Sequence, residues 1–478
     1  MKKILFILSV LFIAGCSQDK PNIVIIFTDD QGYADVGVFG SVGFETPNLD
    51  QMAAEGKRFT DFHVASPVCS PSRAALLTGC YPQRVGIPSV LFPEHENTEW
   101  NPDQRSTKTG LHQNELTMAE MLREIGYATG CFGKWHLGHH KQFLPLQQGF
   151  DEYYGIPYSN DMRPGKNPGP KPYPPLPILE GNTVFKTLPD DQSMITTEYT
   201  ERAVDFIKRH KDQPFFVYLP HTMPHIPLYV SEKFDGKSKK GIYGDVIEEI
   251  DWSVGQVNKT LKELNLEDKT LVIFTTDNGP WLIFGEHGGS AFPLREGKFT
   301  TFEGGMRVPC IMKWPGHIPK GTDCNELAAT IDLLPTIAAI TGAEVSQNKI
   351  DGHDISKLIF GKKDAVSPTD TYYYYAGWEL QAVRSGIWKL HLPHSYRAVV
   401  KNKENGNKYG MMNMSSQIEL SLFNLEEDIS EKNNIASQNP DIVEDLMRKA
   451  EAMIKDLGNS EETGEGKREC GWQKQAGY

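Results

Sequence analysis

The chain has 478 residues, 39% hydrophobic and 23% charged, with a formal net charge of −13. Such a chain is globular and can build one large α/β domain with an appendage, or two or three ordinary domains. Its acidity argues against nucleic acid as a partner, so any anion site must be a local basic pocket in an acidic body.

Lys2-Lys3 followed by the apolar stretch Ile4 to Ala14 reads as a bacterial export signal, too short to persist as a membrane span. Ile13-Ala14-Gly15-Cys16 resembles a lipoprotein signal box. Residues 1–16 are then the signal segment, and Cys16 carries lipid as the mature N-terminus. The expected location is the periplasm or outer membrane of a bacterium, with membrane contact through the lipid anchor only. The other cysteines are Cys69, Cys80, Cys131, Cys310, Cys324 and Cys470. Export permits disulfides, whose pairing the sequence leaves open. The lack of any Cys-x-x-Cys pair argues against structural zinc.

Asn22 to Phe27 is a continuous apolar, β-branched run, suited to a strand buried on both faces, and it ends at Thr28-Asp29-Asp30. Helical periodicity runs from Leu49 to Gly56. An extended run from Phe59 to Val68 leads into Cys69-Ser70-Pro71-Ser72-Arg73 and a short helical run, Ala74 to Thr78, that stops at Gly79. Ser70 fits an N-cap and Pro71 the first helical position, which puts Cys69 at the mouth of a helix N-terminus. Phe92 to His112 lacks periodicity. Leu116 to Ile125 is helical and Tyr127 to Phe132 a strand, followed by Gly133-Lys134-Trp135-His136-Leu137-Gly138. Arg163 to Pro189, rich in Pro and Gly, is a long irregular excursion of the kind that forms binding rims. Tyr199 to Arg209 is a helix and Pro214 to Leu219 a strand. Asp245 to Leu264 is an amphipathic helix with Val246, Ile250, Val254, Val257, Leu261 and Leu264 on one stripe. Thr270 to Thr276 is a buried strand ending at Asp277-Asn278-Gly279, and Thr330 to Ile340 a further helix.

This alternation implies an α/β layered fold with a large, mainly parallel sheet over residues 21–368. From about Thr369 the pattern changes. Short strands at Tyr372 to Ala376, Leu380 to Arg384, Trp388 to Leu392 and Glu419 to Phe423, with a closing helix from Ile442 to Leu457, make residues 369–478 a small C-terminal subdomain with an antiparallel sheet. The tail after Gly458 is polar and expected to be extended.

Ligands in open α/β sheets gather at the carboxyl ends of strands. Asp29-Asp30 and Asp277-Asn278 both sit at such ends, so their four oxygen-bearing side chains converge if the strands are central. All-oxygen ligands suit Ca²⁺ or Mg²⁺ and disfavour zinc. Unpaired N–H groups at the helix mouth beside Cys69, with the planar fork of Arg73, favour an oxyanion. Lys134 and His136, His225 in His221-Thr222-Met223-Pro224-His225-Ile226-Pro227, and Lys298 in Arg295-Glu296-Gly297-Lys298 add basic groups after strands.

The Cys-Ser-Pro-Ser-Arg pentapeptide extended through Ala74-Ala75-Leu76-Leu77-Thr78-Gly79 resembles the signature of the type I, formylglycine-dependent sulfatases. The blocks from Pro21 to about Gly305 are similar, in order, to the arylsulfatase A-like and N-acetylgalactosamine-sulfatase-like enzymes of the alkaline phosphatase superfamily. Weaker similarity extends through Trp388 and Leu422-Phe423-Asn424-Leu425. The resemblance implies an alkaline phosphatase-like α/β/α sandwich and a hydrolase of carbohydrate sulfate esters, with galactose or N-acetylgalactosamine sulfates as the expected substrates. It implies that a maturation enzyme oxidises Cys69 to formylglycine (3-oxoalanine). Asp29, Asp30, Asp277, Asn278 and residue 69 would hold Ca²⁺, with Mg²⁺ the alternative ion. Arg73 would hold the hydroxyl of residue 69, and Lys134 and Lys298 the sulfate oxygens. His136 would assist collapse of the covalent intermediate and His225 would protonate the leaving oxygen. Ser159 matches a sulfate-contacting serine, and His221 matches no required role. Asn160, Asp161, Arg163, His112 and Trp378 are candidate sugar contacts by position. Two rivals remain at this level: a phosphate or phosphonate ester hydrolase of the same superfamily, and a non-catalytic lipoprotein that captures sulfated glycans.

Overall fold

The computed structural model describes residues 20–94, 105–165, 173–189, 191–401 and 410–473. The signal segment 1–16 and its Cys16 lie outside the described residues. Five parallel strands form the centre of the main sheet, in the spatial order Thr270–Thr276, Asn22–Thr28, Phe215–Pro220, Ala128–Phe132 and Glu152–Gly155. Beyond Thr270–Thr276 the sheet continues through Arg307–Lys313, antiparallel to both its neighbours, then Lys57–His63 and Thr322–Cys324. Ala328–Ala329 also pairs with Lys57–His63.

The run Asn22 to Phe27 shows why the centre is parallel and covered on both sides. Ile23, Ile25 and Phe27 enter one apolar core, while Val24 and Ile26 enter the other. Burying both faces requires helices above and below. Cys69–Thr78 and Leu333–Thr341 cover the first face; Ile195–Arg209 and Ile242–Glu263 cover the second. Because the five strands are parallel, the segments after Thr28, Thr276, Phe132 and Pro220 all emerge at one end of the sheet. No helix among the described residues is long and apolar enough to cross a membrane.

Several local expectations are corrected. The helix of the pentapeptide begins at Cys69 itself, with Val68 as an extended N-cap (φ −149°) that offers no side-chain cap. Ser70 lies inside the first turn, where its hydroxyl instead accepts from the Leu91 amide at 3.0 Å. The Arg163 to Pro189 excursion holds a hairpin, Pro177–Glu180 with Thr183–Thr187, that extends the sheet beyond Glu152–Gly155. Its Gly181-Asn182 turn is a hairpin signal hidden among prolines, with Gly181 at φ 59°. A second hairpin, His394–Lys401 with Gly410–Ile418, was not expected; its polar residues leave no clear apolar alternation. The tail after Gly458 folds back: Arg468 pairs with Glu115 at 2.7 Å, and Gly471–Trp472 pairs with Thr109–Gly110.

Thr371–Ala376, Glu379–Ser385, Trp388–His391 and Ser421–Asn424 form the expected four-stranded antiparallel sheet, and Pro440–Leu457 packs on it. Its apolar residues, including Tyr372, Leu390, Leu446 and Ala450, join the first core. Buried charge also crosses the junction. Lys389 Nζ lies 2.9 Å from both Glu303 and Glu431, and Arg384 forks onto Asp61 at 2.6 and 2.9 Å. Asp61, His63 and Glu303 come close enough together to hold a metal, but Arg384, Arg307 and Lys389 already meet their charge.

Lys389 is fully buried, so Lys389→Met removes from the interior the ammonium shared by Glu303 and Glu431. The expected loss is about 3–5 kcal/mol of unfolding free energy. Urea denaturation followed by tryptophan fluorescence measures it as a lower midpoint at unchanged slope.

Candidate functional site

The four strand ends deliver the acidic and basic residues to one pocket. Asp29-Asp30 follow Asn22–Thr28 and Asp277-Asn278 follow its neighbour, so the Asp277 carboxylate accepts from the Asp30 amide at 3.1 Å. Lys134 follows Ala128–Phe132 through Gly133, where a Cβ would sit 1.9 Å from the Pro220 carbonyl oxygen; only glycine permits that approach. Asp30, His136 and Phe299 hold left-handed backbone (φ 64°, 60° and 73°), strain of the kind that gathers at functional sites.

Arg73 stands at the centre, fully buried. Its guanidinium donates to Asp277 (Nε at 3.1 Å, Nη2 at 2.7 Å), to Asp29 (Nη2 at 3.0 Å) and to the Lys134 carbonyl (Nη1 at 2.9 Å). Lys134 Nζ reaches Asp29 at 2.5 Å and the Ser159 hydroxyl at 3.3 Å. Lys298 Nζ contacts both oxygens of Asp30, at 2.6 and 2.8 Å. Burial alone would raise the Asp29 carboxyl, but Lys134 and then Arg73 hold it well below the usual range. Asp277 goes the other way, pushed up to about 7 by burial and by the Asp29 charge beside it. Cys69, at the tip of its helix, lies within electrostatic range of Lys134, Lys298, Asp29 and Asp277, and burial pushes its thiol up to about 11.

Burial lowers the pKa of both pocket histidines. His136 Nε2 donates to the Leu91 carbonyl at 2.8 Å, which leaves a buried Nδ1 lone pair without a partner. Burial, then Lys134 and Arg73, keep its pKa well below the ordinary value. His225 Nδ1 donates to the Ile226 carbonyl at 2.6 Å, and its Nε2 faces Asp30 at 3.7 Å. Burial and then Lys298 lower its pKa. His221 turns away to Ser253 at 3.1 Å, a structural contact.

The 159–163 segment borders the His225 loop. Asn160 donates to the Pro227 carbonyl at 3.2 Å, Arg163 to the Tyr229 hydroxyl at 3.0 Å, and Asp161 lies in electrostatic range of His225. His112 accepts from Asn114, and Trp378 lies under Lys467 of the tail; no contact among the described residues brings either to the pocket. Trp281 escaped the sequence reading although it follows Asp277-Asn278 by three residues. Its ring lies 5.5 Å from that of His225, Lys298 Nζ lies 4.6 Å from its centroid, and its buried Nε1 has no partner.

The donor set fits a hard cation. Asp29 Oδ1 and Asn278 Oδ1 are buried acceptors without a hydrogen-bond partner, and the ligand atoms of Asp29, Asp30 and His225 lie within 4.8 Å of one another. Orphaned oxygen acceptors beside carboxylates call for a positive charge, and an oxygen-rich donor set suits a hard divalent cation. His225 adds an imidazole nitrogen to that group.

The Sulfatase family profile matches residues 21–343, and that described as N-sulphoglucosamine sulphohydrolase, C-terminal, matches residues 296–457. The chain is 41% identical to Arylsulfatase A of Bos taurus over 410 residues, covering 81% of this chain and 78% of that protein. It is 40% identical to N-acetylgalactosamine-6-sulfatase of Canis lupus familiaris over 396 residues, covering 79% and 72%. Among solved structures, PsFucS1 sulfatase from Pseudoalteromonas sp. superposes with a TM-score of 0.78 at 26% identity, covering 92% of each chain.

Adding a divalent cation, Ca²⁺ or Mg²⁺, to chelator-treated protein should raise its Tm, with about 2.7 kcal/mol of stabilisation at a hundredfold excess over Kd. In Asp29→Asn that metal-dependent rise should be largely lost, as read by differential scanning calorimetry with and without the ion.

Proposed function

The chain belongs to the sulfatase family and is a sulfuric ester hydrolase; from that premise we propose that it desulfates glycans, acting on galactose or N-acetylgalactosamine sulfates, as an exported bacterial lipoprotein. The observation that carries the reading is the surroundings of Cys69. A thiol pushed up to about 11 is protonated at neutral pH and a poor nucleophile, yet it sits among two lysines and an arginine–carboxylate cluster at a helix tip. Conversion of Cys69 to formylglycine by a maturation enzyme resolves that mismatch by replacing the thiol with an oxygen nucleophile. Relatives named for N-acetylgalactosamine 6-sulfate support the sugar class. The lipid anchor on Cys16, the periplasmic or outer-membrane location and a catalytic domain over residues 21–368 rest on the sequence.

Asp29, Asp30, Asp277 and Asn278 would hold Ca²⁺ together with the modified residue 69. When bound, the ion would supply Lewis acidity and lower the pKa of the attacking hydroxyl. Every other role belongs to the chain. Arg73 fixes the Asp29 and Asp277 carboxylates in place. Lys134 and Lys298, with Ser159, meet the oxygens of the sulfate and balance the charge that builds on them. His225 must first take up a proton at Nε2, where Asp30 lies 3.7 Å away, and in that protonated form would pass it to the departing sugar oxygen, while His136 Nδ1 accepts one as sulfate is released.

Mass spectrometry of the Cys69 peptide from active enzyme should find the aldehyde or its hydrate; free cysteine alone in a fully active preparation would end the proposal. Cys69→Ala should abolish sulfate release. Sulfate and phosphate versions of one aryl ester, and a panel of monosaccharides sulfated at defined positions, locate the substrate. His225→Asn should lower kcat/KM by about 10²–10⁴. His221→Asn, which can keep a hydrogen bond to Ser253, should stay near the parental value in the same assay.

A further inference from the structure

The unexpected hairpin brings one cation to the rim of the pocket that the mechanism does not use. Arg397, on the His394–Lys401 strand, is half-buried and lays its guanidinium carbon 4.6 Å from the centroid of the Phe299 ring. Phe299 is the residue after Lys298, and its ring lies 5.7 Å from Lys298 Nζ and 5.5 Å from the Trp281 ring. Arg397 and the lysine that faces the reacting sulfate therefore flank one and the same aromatic ring. Unlike Arg73, Arg84, Arg307 and Arg384, which all bind carboxylates, Arg397 has no carboxylate partner among the described residues. The hairpin that carries it packs against the Leu282–His287 turn, directly after Trp281. Trp281 in turn presents its unpartnered Nε1 on the same wall.

A guanidinium that is partly desolvated, stacked on a ring and without a carboxylate partner among the described residues is prepared for an oxyanion. Resting on the glycan reading above, we propose that Arg397 is a specificity-determining residue that binds a second anionic group on the substrate, a sulfate or a uronate carboxylate carried next to the sulfate being cleaved. Phe299, which both cations approach, sets the spacing between the two anions: Lys298 holds the reacting group and Arg397 the other. The preferred substrate is thus a glycan with at least two negative charges on one sugar or on adjacent sugars, rather than a sugar bearing a lone sulfate.

The test compares the mature enzyme with Arg397→Ala and Arg397→Lys on three matched oligosaccharides: one sulfate only, one sulfate plus a neighbouring uronate, and two neighbouring sulfates. Losing a charged hydrogen-bonding partner should lower the ratio of kcat/KM on a doubly charged substrate to that on the singly charged one by about tenfold or more, mainly through KM. Arg397→Lys should recover part of the ratio. Whichever doubly charged arm shows the drop identifies the group. Isothermal titration of the same sugars into Cys69→Ala protein should show the same loss of preference, independent of turnover. An unchanged ratio in both assays, or equal losses on all three sugars, would overturn the role of Arg397 while leaving the glycan reading intact. Parental enzyme that cleaves aryl sulfate but none of the oligosaccharides would defeat the glycan reading, and this role with it.

Discussion

Everything in the pocket depends on the burial of Arg73 between Asp29 and Asp277. Two carboxylates at the ends of adjacent parallel strands repel each other, and burial magnifies the repulsion. Arg73 answers with a fork that touches both while its remaining arm ties down the Lys134 carbonyl. The guanidinium is delivered by the same helix that begins at Cys69, so one short element supplies both the reactive position and the counterion that keeps its surroundings in place. Lysine could not do this, since a point charge cannot bridge two carboxylates and a carbonyl in one plane.

The C-terminal sheet matters to that pocket through charge as well as packing. Glu303 accepts from Lys389, His63 and Tyr374, and its amide donates to Glu431, which also takes His391. Glu303 lies five residues after Lys298 and opens the turn leading into Arg307–Lys313. The network therefore anchors the segment that positions Lys298. Arg295 reaches the Glu431 carbonyl and the Tyr396 hydroxyl, which links the same segment to the hairpin at the rim. The small sheet thus shapes one wall of the site.

Most of the site was legible because buried parallel strands announce themselves as unbroken apolar runs, and the polar residues that end them have few places to go. Asn22 to Phe27 and Thr270 to Thr276 put Asp29, Asp30, Asp277 and Asn278 at strand ends, and the resemblance gave them a shared role. The pentapeptide located Cys69 and Arg73, although its N-cap was misplaced: Ser70 and Pro71 have the composition of a helix start, but Val68 is the extended cap and the helix begins two residues earlier. Trp281 was missed because a tryptophan near a turn has no periodicity to betray it. The His394–Lys401 hairpin was missed for a related reason. It lacks a continuous apolar face, so alternation fades and only cross-strand pairing, invisible in a single chain, defines it.

Charge bookkeeping ties these parts together. Asp29, Asp30 and Asp277 stand against Arg73, Lys134 and Lys298, so the formal charges of the pocket nearly cancel in a protein that is acidic overall. A neutral cluster has no strong reason to attract a sulfate ester. The net positive charge must come from what the cluster gathers, and the orphaned oxygens of Asp29 and Asn278 are the places where a cation gains most. The histidines fit the same accounting: burial and Lys298 lower the pKa of His225, so the pocket carries no surplus charge in waiting. A cluster balanced in this way folds without burying a large uncompensated charge, and a cation held at those oxygens would add positive charge to the pocket that meets an anionic substrate.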